Sequence, residues 1–201
     1  MPEWTWNGNE YRDLDSGRSI DADQVREWVL ESIRKSSDVV AELARLLTEG
    51  KLSLEDWHRL MQDEIKDKYI ALFLLGLGGL ALLRAEDIAL LVELLVEQFE
   101  YLSRFLIAIE TGLSEEQIRA RALLYIQSAD TAFWNGISRA AATAGLEEVK
   151  WGLRPAEHCP DCVAFAGMGW QKIRNNPYSG AVPKSGATRC LFNCACVLDF
   201  R

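Results

Sequence analysis

Histidine is scarce in this chain, and cysteine is confined to one end of it. The sequence holds 2 histidines, His58 and His158, and 5 cysteines, all of them between Cys159 and Cys196. The part ahead of Cys159 therefore has no soft ligand set and no thiol nucleophile. His58 stands there without a cysteine, Ser-His or carboxylate partner at a useful spacing, and it reads as a surface helix residue. Also missing are a Glu-x-x-His pair of the di-iron kind, a glycine-rich phosphate loop and a sustained heptad. Carboxylates such as Glu42, Glu49, Asp63, Glu64 and Glu97 fall where solvated helix faces belong. No reaction is implied, and the chain is expected not to be an enzyme.

Long apolar runs are missing as well. The longest uncharged stretch, Tyr69 to Leu83, contains Gly76, Gly78 and Gly79, and it falls short of the ~20 residues that cross a bilayer. It reads as a buried helix end and turn, and no membrane partner is expected. Met1 to Asn9 has neither the basic region nor the apolar core of a secretory signal, which points away from an oxidising compartment. The net charge of -8 is uneven. From Lys150 onward seven Lys and Arg face three Asp and Glu, whereas the remainder holds fifteen against twenty-seven. An acidic body argues against general nucleic-acid binding and leaves only a local, basic end.

What is present is helix. Apolar residues return at three and four positions from about Asp21 to Thr48, with Gly50 as the stop. A second helix starts at Ser53, capped by its hydroxyl, and dissolves at the Gly76 to Gly79 cluster. A third spans Ala85 to Thr111 and is apolar on more than one face, so it should be central. A fourth runs from the capping box Ser114-Glu115-Glu116-Gln117 to about Thr143, before Gly145. The expected fold is mainly α: an antiparallel helical bundle over residues 20–145, an extended N-terminal arm over 1–19, and a small zinc-clipped α+β/loop module over 146–201. With turn chemistry at Asp15-Ser16-Gly17, the arm reads as extended or as a short hairpin; Trp4 and Trp6 alternate on it and could dock on a neighbour or pack on this chain's own helices.

The C-terminal segment has glycine and proline in plenty and few aliphatic residues in any periodic pattern, so composition alone gives it little to offset its ordering entropy. Cys159-Pro160-Asp161-Cys162 at one end and Cys190-Leu191-Phe192-Asn193-Cys194-Ala195-Cys196 at the other offer more than the four ligands of a tetrahedral Zn2+ site. Disulfides are disfavoured, because five thiols cannot all pair. A thioredoxin-type redox pair lacks its βαβ context. Cys159 and Cys162 form a knuckle and Cys190 is the natural third ligand. Cys194 and Cys196 compete for the fourth place, or both face the ion with Cys190 displaced; His158 reads as a neighbour of the site more than as a ligand. Glu148 to Gly152 and Val197 to Phe200 read as short strands that pair and bring the clusters together, with Trp170 covering the site's apolar side. The loop between would then present Lys172, Arg174, Tyr178, Lys184 and Arg189 outward. A zinc hydrolase is disfavoured, since so many thiolates close the site and only Glu157 and Asp161 lie near as bases.

Trp151, Cys159-Pro160-Asp161-Cys162, Trp170, Pro183 with Gly186, and Asn193-Cys194-Ala195-Cys196-Val197-Leu198 together resemble the C-terminal pattern of phage minor head proteins, the head morphogenesis family named after the F protein of bacteriophage Mu. Where that family usually carries His-Pro ahead of Asn-Cys-x-Cys, this chain has Cys190, and cysteine can replace histidine at zinc. The resemblance implies a structural protein of the virion, assembled in the host cytoplasm, that contacts portal or major capsid protein. It leaves packaged DNA as a contact of the basic loop and a homo-oligomer as one arrangement. The alternative is a zinc-containing adaptor that binds nucleic acid or a partner protein through the same loop.

Overall fold

In the computed structural model, residues 4–6, 10–175, 178 and 181–201 are described, and the side chains of Trp4, Thr5, Asn175 and Phe192 fall outside that set. The protein is mainly helical. Of the extended arm and the hairpin, the N-terminal residues take the hairpin form and add a strand to it, a three-stranded antiparallel sheet of β1 (Trp4–Trp6), β2 (Tyr11–Asp13) and β3 (Ser19–Ile20). The β2–β3 turn closes because Asp13 Oδ1 accepts from the amides of Asp15 and Ser16 and from the Ser16 hydroxyl at 3.1, 2.6 and 2.8 Å. Tyr11 is buried, and Trp6 packs edge-on against Phe200 with ring centroids 5.3 Å apart. Trp6 is thus spent on the chain's own core.

Five long helices follow: α1 (Ala22–Thr48), α2 (Leu54–Leu77), α3 (Ala85–Glu110), α4 (Glu115–Ser128) and α5 (Asp130–Thr143). Their starts are set by short polar side chains. Asp21 accepts from the Asp23 amide at 2.7 Å, Ser53 from Asp56 at 3.0 Å, and Ser114 with Gln117 forms a reciprocal capping box. The fourth predicted helix is two helices. At Ala129 the ladder tightens to an Ile126 partner, and the Ser128 hydroxyl turns back onto the Tyr125 carbonyl at 2.8 Å, a local bond that competes with the regular ladder.

The second helix ends within the Gly76 to Gly79 cluster, as its sequence predicts. It continues to Leu77 and ends at Gly78, whose φ of 104° is the left-handed cap that glycine supplies. Gly76 serves a different purpose. A side chain there would strike the Phe133 carbonyl of α5, and one at Gly136 would strike the Phe73 carbonyl of α2. These two glycines let the backbones of α2 and α5 close on each other, so α2 and α5 make the centre of the bundle.

Helix α3 is accordingly peripheral, contrary to its composition. Leu91, Leu102 and Phe105 are buried, but Ile88, Val92, Val96 and Ile107 are 49–65% exposed. Its apolar surface wraps further round than the bundle can cover. Two buried ion pairs fix the outer helices to the central one. Arg26 of α1 holds the fully buried Asp130 with two bonds of 2.5 and 2.7 Å, and Arg139 of α5 holds the buried Asp87 of α3 at 2.5 Å. One core cluster runs from Tyr11 through the helices to Phe200. Among the described residues no helix is long and apolar enough to cross a membrane.

Candidate metal centre

A second sheet positions the cysteines. Strand β4 (Glu148–Gly152) pairs antiparallel with β6 (Val197–Phe200), setting Val149 opposite Phe200 and Trp151 opposite Leu198, and it pairs on its other edge with β5 (Gln171–Lys172). The alternating residues Val149, Trp151, Leu198 and Phe200 all face the core. From β4 the chain reaches Cys159, which precedes α6 (Pro160–Gly167); Pro160 stands in the first turn, where its missing N–H leaves no gap in the ladder. Cys162 follows in that same turn. At the far end Cys194 and Cys196 lead directly into β6. Because β4 and β6 are neighbours, the two cysteine clusters meet.

They meet closely. The sulfurs of Cys162 and Cys190 are 3.5 Å apart and those of Cys162 and Cys194 3.6 Å. Cys159, Cys162 and Cys190 form one group and Cys162, Cys194 and Cys196 another, the ligand atoms of each lying within 4.8 Å of one another. All five cysteines are free thiols close enough together to hold a metal ion. Cys162, Cys194 and Cys196 are buried. Burial pushes Cys162 and Cys190 above the ordinary thiol range, and it carries Cys196 to about 11 against the opposing Trp151 indole. Cys159 goes the other way. Burial raises it, but the amides of Cys162 and Cys190 and the neighbouring sulfurs outweigh that and bring it down to about 7. Amides aimed at a sulfur are what a thiolate ligand needs around it.

The surroundings favour negative charge on sulfur in other ways. The Thr188 hydroxyl is 3.2 Å from Cys190 Sγ, and the Trp151 Nε1, buried without a well-formed hydrogen bond, is aimed so that it favours the ionised Cys196. His158 Nδ1 is 3.5 Å from Cys196 Sγ, while its Nε2 is 2.6 Å from the Arg154 carbonyl. Nothing in the residue pattern marked Thr188, and His158 was legible as a neighbour of the site more than as a ligand.

Several expectations are corrected here. Trp170 does not cover the cysteines; Arg201 stacks over its ring at 4.4 Å and Lys150 stands 5.9 Å from it. Trp151 takes that place, with Phe165 and Tyr178 at ring separations of 5.0 and 5.2 Å. The segment also carries more core than its composition suggested: Tyr178, expected to face outward, is instead buried against Trp151 and Phe165, and Ala181 and Val182 are buried with it. Lys184 turns inward, with its ammonium 3.5 Å from the buried Asp130 and its carbonyl accepting from Thr131. Lys172 pairs with Glu147 at 2.8 Å and Arg189 with Asp161 at 3.5 Å. Arg174 remains exposed on the loop. His58 is half-buried on α2, its Nε2 shielded and without a hydrogen-bond partner.

The class these observations define is a mainly helical protein with a C-terminal cysteine cluster able to hold metal. Comparisons with family models, with curated proteins and with solved structures found no match.

Proposed function

We propose that this chain is a non-enzymatic structural protein whose C-terminal module is clipped by Zn2+, and that it acts in phage head assembly as a minor head protein. The observation that carries the reading is the convergence of Cys159-Pro160-Asp161-Cys162 with Asn193-Cys194-Ala195-Cys196 across the β4–β6 pair, since the resemblance to the minor head family rests on those same residues. The fit to zinc is geometric. Thiolates at about 2.3 Å from a tetrahedral ion stand roughly 3.8 Å apart. The separations of 3.5 and 3.6 Å are near that edge and far from the ~2.05 Å of a disulfide. In this site zinc supplies a cross-link between the two ends of the loop.

One of the two candidate bases is engaged, which fits a structural role: the Asp161 carboxylate accepts from the Arg189 amide at 2.8 Å. The exposed Ile88, Val92 and Val96, four residues apart on α3, support work against a partner surface such as portal or major capsid protein. The adaptor reading and a DNA contact are less favoured, because three of the four basic loop residues are engaged with carboxylates of the chain itself. Co-expression with the portal and major capsid proteins of the same genome tests the proposal. Co-purification with either is expected; a chain that stays monomeric and ignores both contradicts it.

A further inference from the structure

Two ligand groups that share a sulfur are more than one tetrahedral ion uses. Cys162 is fully buried and belongs to both groups, with Cys159 and Cys190 on one side and Cys194 and Cys196 on the other. The first group faces outward, since Cys159 and Cys190 are half-exposed, and solvent can complete it. The second is deeper, and His158 stands at its edge, its Nδ1 beside Cys196 but not among the ligand atoms that all lie within 4.8 Å of one another. A backbone carbonyl can only accept, so the Nε2 that lies 2.6 Å from the Arg154 oxygen carries the hydrogen. With Nε2 as the ring N–H, the neutral form of the imidazole is the one whose Nδ1 lone pair faces Cys196, 3.5 Å away. A ring N–H anchored on a backbone carbonyl is the arrangement that metal-ligating histidines adopt.

Resting on the zinc reading above, we propose that the module holds two Zn2+ ions bridged by the Cys162 thiolate. One ion is bound by Cys159, Cys162 and Cys190 with a solvent molecule as fourth ligand. The other is bound by Cys162, Cys194, Cys196 and His158. A single ion on Cys159, Cys162, Cys190 and Cys194 would leave Cys196, 2% exposed, and the His158 nitrogen bonded only to each other, outside the metal's coordination. It would also bury more charge. Four thiolates on one dication carry a net charge of about -2, whereas five thiolates on two dications carry about -1, and buried net charge is costly.

The test is the metal content of the full-length protein, purified reduced from zinc-supplemented cells and dialysed, read by elemental analysis and native mass spectrometry. About two zinc ions per chain are expected, and titration of the metal-free protein with Co2+ should develop its thiolate-to-metal absorption up to two equivalents. Cys159→Ser and Cys196→Ser should each lower the zinc content from two to one. A wild-type content of one overturns the bridged pair and leaves the single-ion reading standing, and a content of zero overturns both. Retention of two ions by either variant also overturns the bridged pair.

Discussion

The helical bundle and the C-terminal module share one core cluster but are held by different forces. In the bundle, Trp57, Met61, Ile65, Tyr69 and Phe73 of α2 are buried, Trp57 against Phe105 of α3, and the Gly76–Gly136 approach draws the backbones of α2 and α5 together. In the module, Trp151, Phe165 and Tyr178 supply a small aromatic core, and five thiols stand where further apolar residues would otherwise be needed. The contrast teaches that one chain can be read by two codes. Periodicity marks the helices, whereas residue type marks a cysteine cluster close enough together to hold a metal ion.

The largest break in that contrast should come from Cys162→Ser. It removes the sulfur common to both ligand groups. Loss of bound zinc is expected, with destabilisation of the module on the order of 10 kcal/mol in apparent terms, while far-ultraviolet circular dichroism keeps the helical signal of the bundle. Collapse of the helical signal at the same temperature would erase the distinction. Next comes Asp130→Ala, which strands Arg26 and Lys184 beside a buried vacancy at the junction of bundle and module. A loss of about 3–5 kcal/mol is expected in urea unfolding. A change under 1 kcal/mol would mean that this junction is solvated.

Gly136→Ala sharpens the bundle side. The new methyl meets the Phe73 carbonyl, so α2 and α5 must separate, at a cost of about 1–3 kcal/mol. An unchanged urea midpoint would mean that the helices do not approach so closely. The pH dependence sharpens the module side. Cys162, Cys190 and Cys196 hold their protons above the ordinary thiol range, so at neutral pH an entering ion must displace protons. Zinc affinity should therefore fall as pH falls, by at least about tenfold per pH unit, in chelator competition between about pH 8 and about pH 6. A flat profile would contradict thiol ligation. The metal-free protein has the opposite trend: Cys196, raised to about 11, stabilises the fold below its ordinary range, and that contribution is lost as pH rises toward 11. The smallest effect is expected from Ser114→Ala. Loss of the capping box at α4 should cost about 1 kcal/mol and leave zinc content unchanged, as read by thermal unfolding and metal analysis.

The helices were legible because Asp21, Ser53 and Ser114 cap them and apolar residues recur at helical spacing. Their ranking was not legible. The apolar richness of α3 pointed to the centre, whereas two glycines at a crossing, invisible to periodicity, gave the centre to α2 and α5. The interruption at Ala129 depends on the turned-back Ser128 hydroxyl, a choice that spacing does not encode. In the site, residue type alone revealed the five cysteines and the pairing of β4 with β6. It could not reveal that Lys184 turns inward, because that follows from the buried Asp130 of a distant helix. Nor could it give the orientation of His158, which is fixed by the Arg154 carbonyl.

The central claim is that metal, more than apolar burial, orders the C-terminal module. Hydrogen exchange on the reduced protein, before and after removal of zinc by a strong chelator, tests it most directly. The account predicts that amides from Glu148 to Phe200 lose most of their protection on chelation while those of α2 and α5 keep theirs. Protection in the module that is unchanged after the metal is gone, or protein that never held metal, would contradict it.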